Sequence, residues 1–86
     1  MSWNKFSEKK PTKNKRYLTV TQFKSGNSVH NVYRVTDWAN NLRKAYPYDF
    51  DSKEYDHEGF WDSDSEWGAY EIHDIVAWKE IEEYTG

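Results

Sequence analysis

The sequence predicts an α+β fold: a small antiparallel β-sheet of about four to five strands with one short helix near residues 37–46. Three observations predict it. Two runs rich in β-branched and aromatic residues, Arg16–Lys24 and Ser28–Val35, meet at Ser25-Gly26-Asn27-Ser28, the turn chemistry of an antiparallel hairpin. Trp38, Leu42 and Ala45 then fall at i, i+4 and i+7, behind a Thr36 or Asp37 able to cap a helix. After an acidic stretch, short alternating segments return.

The elements follow in order. Residues 1–15 form an arm in which Trp3 and Phe6 can anchor against a core, with Lys13-Asn14 as a turn step. In the first long strand Leu18, Val20 and Gln22 share one face, and Tyr17, Thr19, Thr21 and Phe23 the other. In the second, Val29, Tyr33 and Val35 oppose His30, Val32 and Arg34 in the same way. The helix carries Arg43 and Lys44 in its last turn, where cations favour the helix dipole, and Pro47 ends it. Two to three turns cannot stand alone in water, so Trp38 and Leu42 are expected to dock it on the sheet; the alternative is a strand that runs on through Trp38. Residues 46–58 read as a long acidic-aromatic loop. Gly59–Asp64 and Trp67–Ile72 read as short strands with Ser65-Glu66 as their turn. In 74–81, alternation places Val76 and Trp78 on one face, which favours strand over helix. The tail, Tyr84-Thr85-Gly86, is expected to fray.

Eighty-six residues allow one domain, 1–86. There is no cysteine, so neither disulfides nor a zinc-thiolate set can supplement a small core. Leu, Ile, Val and Phe number 14, about 16%, a level that often marks disorder. Sixteen aromatic residues and a net charge of only −3 argue instead for a globular domain built on rings. That net charge conceals a division: residues 1–45 hold ten Lys or Arg and two acids, residues 46–86 two Lys and thirteen acids. No run of 18 apolar residues exists, and 1–15 has no apolar core of a signal peptide, so a cytoplasmic protein without a membrane span is expected.

The two ends resemble a known pattern. Trp3-Asn4-Lys5-Phe6-Ser7-Glu8, then Pro11, then Arg16-Tyr17-Leu18-Thr19-Val20, together with the closing Ile75-Val76-Ala77-Trp78, is similar to a small domain-of-unknown-function family common in bacteriophages and prophages. The Pro-rich tail usual in that family is missing from Lys79-Glu80-Ile81-Glu82-Glu83. The resemblance covers about a quarter of the chain. It implies a small sheet-containing phage accessory protein and supplies no catalytic or binding residues.

The residue chemistry points away from catalysis. No Gly-rich phosphate loop and no Gly-x-Ser-x-Gly elbow occurs. Carboxylates such as Asp49 and Asp51 are abundant, but general acid–base work needs one carboxyl desolvated, and a hydrophilic loop leaves them ionised. Asp62-Ser63-Asp64-Ser65-Glu66 opens like an EF-hand loop, yet Trp67 stands where the turn glycine belongs and His73 where the closing Glu belongs. Asp56-His57-Glu58, His73-Asp74 and His30 lack metal-ligand spacing. No enzyme activity, metal or cofactor is therefore expected. Lys9, Lys10, Lys13, Lys15, Arg16 and Lys24 could track phosphates, but a pI near 5.5 argues against direct nucleic-acid binding.

The informative run is acidic and aromatic: Tyr48, Asp49, Phe50, Asp51, Glu54, Tyr55, Asp56, Glu58, Phe60, Asp62 and Asp64. Carboxylates on a ring-built base could imitate a phosphate backbone and enter a basic groove of a host protein, and Tyr and Trp side chains carry interface energy. The first functional expectation is a phage-encoded, non-catalytic binding module that inhibits a host nucleic-acid-directed defence through this surface. The second is a homo-oligomer that sequesters a signalling nucleotide, with Arg16, Arg34, Arg43 or Lys44 on its phosphates. The third is a structural accessory domain with no specific ligand. The bland reading of the run itself is a loop whose rings complete a small core.

Overall fold

A computed structural model describes residues 2–64 and 66–82, with the side chain of Asp64 outside the description. Its strands are β1 (Asn4–Lys5), β2 (Arg16–Ser25), β3 (Ser28–Ala39), β4 (Gly59–Asp64), β5 (Gly68–Ile72) and β6 (Ile75–Glu80). They form one sheet in the order β1-β6-β2-β3-β4-β5, with every neighbouring pair antiparallel. Helical structure among the described residues is limited to α1 (Leu42–Ala45) and a 3₁₀ turn at Lys53–Tyr55.

The expected α+β fold with four to five strands is therefore incorrect, and so is the helix over residues 37–46. Strand β3 continues through Thr36, Asp37, Trp38 and Ala39, and Trp38 lies opposite Phe60 of β4. The backbone N–H of Trp38 donates to Lys15 O at 2.9 Å. The helical spacing of Trp38 and Leu42 is fortuitous, because the two residues pack on opposite faces of the sheet. The chain turns helical only after Asn41, whose side-chain oxygen accepts from Lys44 N at 2.9 Å. Strand β1, two residues long, lies in the arm that carried no strand pattern.

The hairpin forms where the alternation places it, with Arg16 opposite Asp37 and Ser25 opposite Ser28. Gly26, at φ +60°, occupies the first central position of the two-residue turn, where a II′ turn needs glycine. The closing segment is a strand, β6, which pairs with β2 across a register shift between Val20 and Thr21.

Consecutive strand residues point to opposite faces, and each face of the sheet carries its own core. Tyr17, Trp38, Phe60, Ile75 and Trp78 are buried together on one face. The N-terminal arm covers them: Phe6 sits 5.9 Å from Trp38 and 5.5 Å from Phe60, ring centre to ring centre. The arm is tied down by two core donors and by Asn40. Trp78 Nε1 donates to Lys9 O at 2.8 Å, Tyr17 Oη to Lys13 O at 3.0 Å, and Asn40 Nδ2 to Thr12 O at 3.2 Å. On the other face Ala39, Leu42 and Phe50 are buried, with Tyr46, Tyr55, Trp61 and Ala69 packed around them. Segment 40–58 covers this second core. Aromatic rings thus do on both faces what aliphatic side chains do in most small domains.

Candidate interaction surface

The acidic-aromatic segment divides into residues that build the second core and residues that face outward. Phe50 is buried, 4.8 Å from the Tyr55 ring and 6.1 Å from Trp61. Tyr55, half-buried, belongs to the same packing. Asp56 accepts from Arg43 at 3.1 Å and Glu58 from Lys10 at 2.8 Å. Asp62 accepts from the adjacent Ser63 N–H at 2.8 Å. The Asp56 pair ties the segment to α1 and the Glu58 pair ties it to the N-terminal arm, and Leu42 N–H of α1 donates to His57 O at 3.0 Å. His57 Nε2 also lies 2.7 Å from Glu71 on β5. That carboxylate, chiefly through the hydrogen bond and then through its charge, raises the His57 pKa above its ordinary value, against the lowering effect of burial.

Asp49 has the most consequential position. Its Oδ2 accepts from the backbone N–H of Ala69 at 2.8 Å, which clamps the loop to the start of β5. Gly68, at φ +81°, allows this approach: a Cβ there would stand 2.7 Å from Asp49 Oδ2. The residues just before Asp49 and Gly68 are both exposed aromatics. Tyr48 precedes Asp49 and is 84% exposed; Trp67 precedes Gly68 and is 83% exposed. Asp51 and Glu54 are exposed on the same segment.

Of the residues singled out in the sequence, Phe50 and Tyr55 build the second core, Asp49, Asp56 and Glu58 are exposed but engaged in pairs, and Tyr48, Asp51 and Glu54 face outward. Asp64 lies outside the described side chains, as does part of the Asp62–Glu66 segment weighed for calcium, and the expected fraying of Tyr84–Gly86 falls outside the described residues. Trp67 was missed as a surface residue because it read as the first residue of an alternating strand; the glycine after it is the sign that the turn extends past Ser65-Glu66. Among the described residues, no group of three or more His, Asp or Glu side chains is placed to hold a metal ion.

The four basic residues considered for phosphate binding do not converge. Arg16, paired with Asp37 at 3.2 Å, and Arg34 occupy opposite faces of the hairpin by the alternation of its strands. Arg43 is paired with Asp56, and Lys44 stands exposed on α1. No described helix is long and apolar enough to cross a membrane. No family model, curated protein or solved structure matches this chain.

Proposed function

We propose that this protein is a non-catalytic binding module that docks onto a basic surface of another protein through Tyr48, Trp67 and the carboxylates beside them. The observation that carries the reading is the presence of two almost fully exposed rings, Tyr48 and Trp67, each within two residues of a partner in the Asp49–Ala69 hydrogen bond. A monomer gains nothing from presenting a Trp and a Tyr to water, whereas both residue types anchor interfaces once desolvated. Asp49, Asp51 and Glu54 outnumber the exposed Lys53 among them, and the net negative sign speeds encounter with a basic partner and rejects an acidic one. The phage setting implied by the chain ends suggests a host protein that handles nucleic acid. Pairing of Asp56 and Glu58 with Arg43 and Lys10 leaves fewer carboxylates for imitating a phosphate backbone than the sequence alone suggests. The rings therefore supply most of the contact and the acids its orientation.

The test compares captures from a bacterial lysate by the wild type and by a Tyr48→Ala/Trp67→Ala variant. Both side chains are exposed, so the variant keeps its fold. A partner bound by the wild type, released as salt is raised and absent from the variant's capture, supports the reading. Recovery of the same proteins by both forms overturns it.

A further inference from the structure

The lysines of the arm, unused by the surface above, converge elsewhere. A hollow of about 420 Å³ opens between the arm and β6, floored by Tyr17 and Trp78 and edged by Lys9, Lys10, Lys13 and Lys79. Its size falls within the range of small-molecule sites, roughly 300–1,000 Å³. The backbone that presents these lysines is fixed, because the carbonyls of Lys9 and Lys13 are held by the core residues Trp78 and Tyr17, and that of Thr12 by Asn40. Lys10 is engaged by Glu58, and the Lys79 ammonium lies 4.6 Å from the centre of the Trp3 ring. Lys9 and Lys13 have no ion-pair partner among the described residues.

The hollow already holds one anionic group. Glu80 forms part of its wall and accepts from Lys15 Nζ at 2.9 Å. The Lys15 hydrogen bond and charge, with the fields of Lys13 and Lys9 behind them, hold the Glu80 carboxyl below its ordinary pKa. Three lysines of one loop therefore act on a single carboxylate and exceed what it can neutralise.

We propose that this hollow is an anion site for a small phosphate-bearing molecule, whose phosphoryl oxygens are taken by Lys9 and Lys13. Lysine suits this task as a compact point charge on a flexible stem, and a multiply charged phosphoryl group matches the surplus that Glu80 leaves. The buried Tyr17 and Trp78 edges give the floor shape and leave recognition to charge. Glu80, paired with Lys15, sets a negative charge in the field of Lys9 and Lys13 and so opposes an incoming anion, and the site carries its own attenuator.

The test is a titration of the full chain with inorganic pyrophosphate, followed by backbone amide NMR and calorimetry at low salt, with a single-stranded oligonucleotide as a parallel arm. Saturable shifts confined to the arm and β6 are expected. Lys9→Ala/Lys13→Ala should weaken binding by about tenfold or more, and Glu80→Gln should strengthen it several-fold. The strengthening separates this site from generic lysine attraction, and Glu80 is exposed enough for the variant to stay folded. Shifts spread over lysines throughout the chain, no saturation, or unchanged affinity in Glu80→Gln would overturn the proposal. An oligonucleotide that binds the same residues far more tightly than pyrophosphate would also overturn it, in favour of a nucleic-acid surface.

Discussion

Replacement of Phe50 by Ala separates the structural half of the acidic-aromatic segment from its outward half. Phe50 is 2% exposed and contacts the rings of Tyr46, Tyr55 and Trp61. Removal of its ring forfeits the transfer energy of a fully buried aromatic and leaves a cavity under a loop. Phe-to-Ala changes at such sites cost about 3–5 kcal/mol. Domains of this length have a total stability on the order of 4–13 kcal/mol, at about 0.05–0.15 kcal/mol per residue, so the loss is a large fraction of the whole. Tyr48, two residues away and sharing the neighbour Asp49, is 84% exposed, and Tyr48→Ala should fall within about 0.5 kcal/mol of the wild type. Urea unfolding followed by tryptophan fluorescence measures both variants, and near-ultraviolet circular dichroism reports whether Trp61 has lost its packing. A Phe50→Ala protein within 1 kcal/mol of wild type, or one no less stable than Tyr48→Ala, would refute the division of this segment into a core half and a contact half (about the uncertainty of such extrapolations).

Other perturbations probe the framework. Thr36 Oγ1 donates to Thr19 Oγ1 at 3.0 Å, and Thr19 Oγ1 donates to Arg34 O at 3.0 Å, with both side chains buried. Thr19→Val strands the Thr36 hydroxyl and should cost about 1–3 kcal/mol, while Thr19→Val/Thr36→Val should cost less than the sum of the two single changes in a denaturation cycle. His57 has a raised pKa when folded, so its contribution is full below the unfolded value of 6.5 and is lost as pH rises through the folded value. Its side chain is 44% exposed, so solvent screening holds the effect below about 1 kcal/mol. The stability advantage of wild type over His57→Gln should therefore shrink as pH is raised from mildly acidic to alkaline, and a growing advantage would contradict the pairing with Glu71. Gly26→Ala should cost about 1–2 kcal/mol for its positive φ alone. Gly68→Ala should exceed it in urea unfolding, because its Cβ also displaces the Asp49 clamp.

The hairpin and the closing strand are legible in the sequence because their evidence is local: alternation, β-branched residues and a Gly-Asn turn. The end of β3 is not, because Trp38, Leu42 and Ala45 satisfy a helical stripe and only the distant Phe60 decides the matter. The same limit governs the candidate site. Tyr48 and Phe50 have identical credentials in sequence, each an aromatic beside acids in an aperiodic segment. Whether a ring is anchor or surface depends on Leu42, Trp61 and Tyr55 arriving from other parts of the chain. The convergence of Lys9, Lys13 and Lys15 on Glu80 is equally non-local, since β6 must pair with β2 before a carboxylate near the C-terminus meets a loop near the N-terminus.

The division of charge along the chain is resolved in the fold mainly as exposed pairs: Lys10 with Glu58, Lys15 with Glu80 and Arg43 with Asp56. Such pairs contribute about 0–1 kcal/mol each and are screened at high ionic strength. Among the charges that pairing leaves over are Lys9 and Lys13 beside β6 and Asp51 and Glu54 on the segment covering β3 to β5. Stability and binding should then respond differently to salt. Between low and near-molar sodium chloride the free energy of unfolding should change by no more than about 1–2 kcal/mol, since two packed aromatic cores carry it. Pyrophosphate affinity and partner capture should both fall steeply over the same range. A fold that lost most of its stability in salt would mean that the charge division holds the two halves together, and the surplus at each end would lose its claim to be a binding surface.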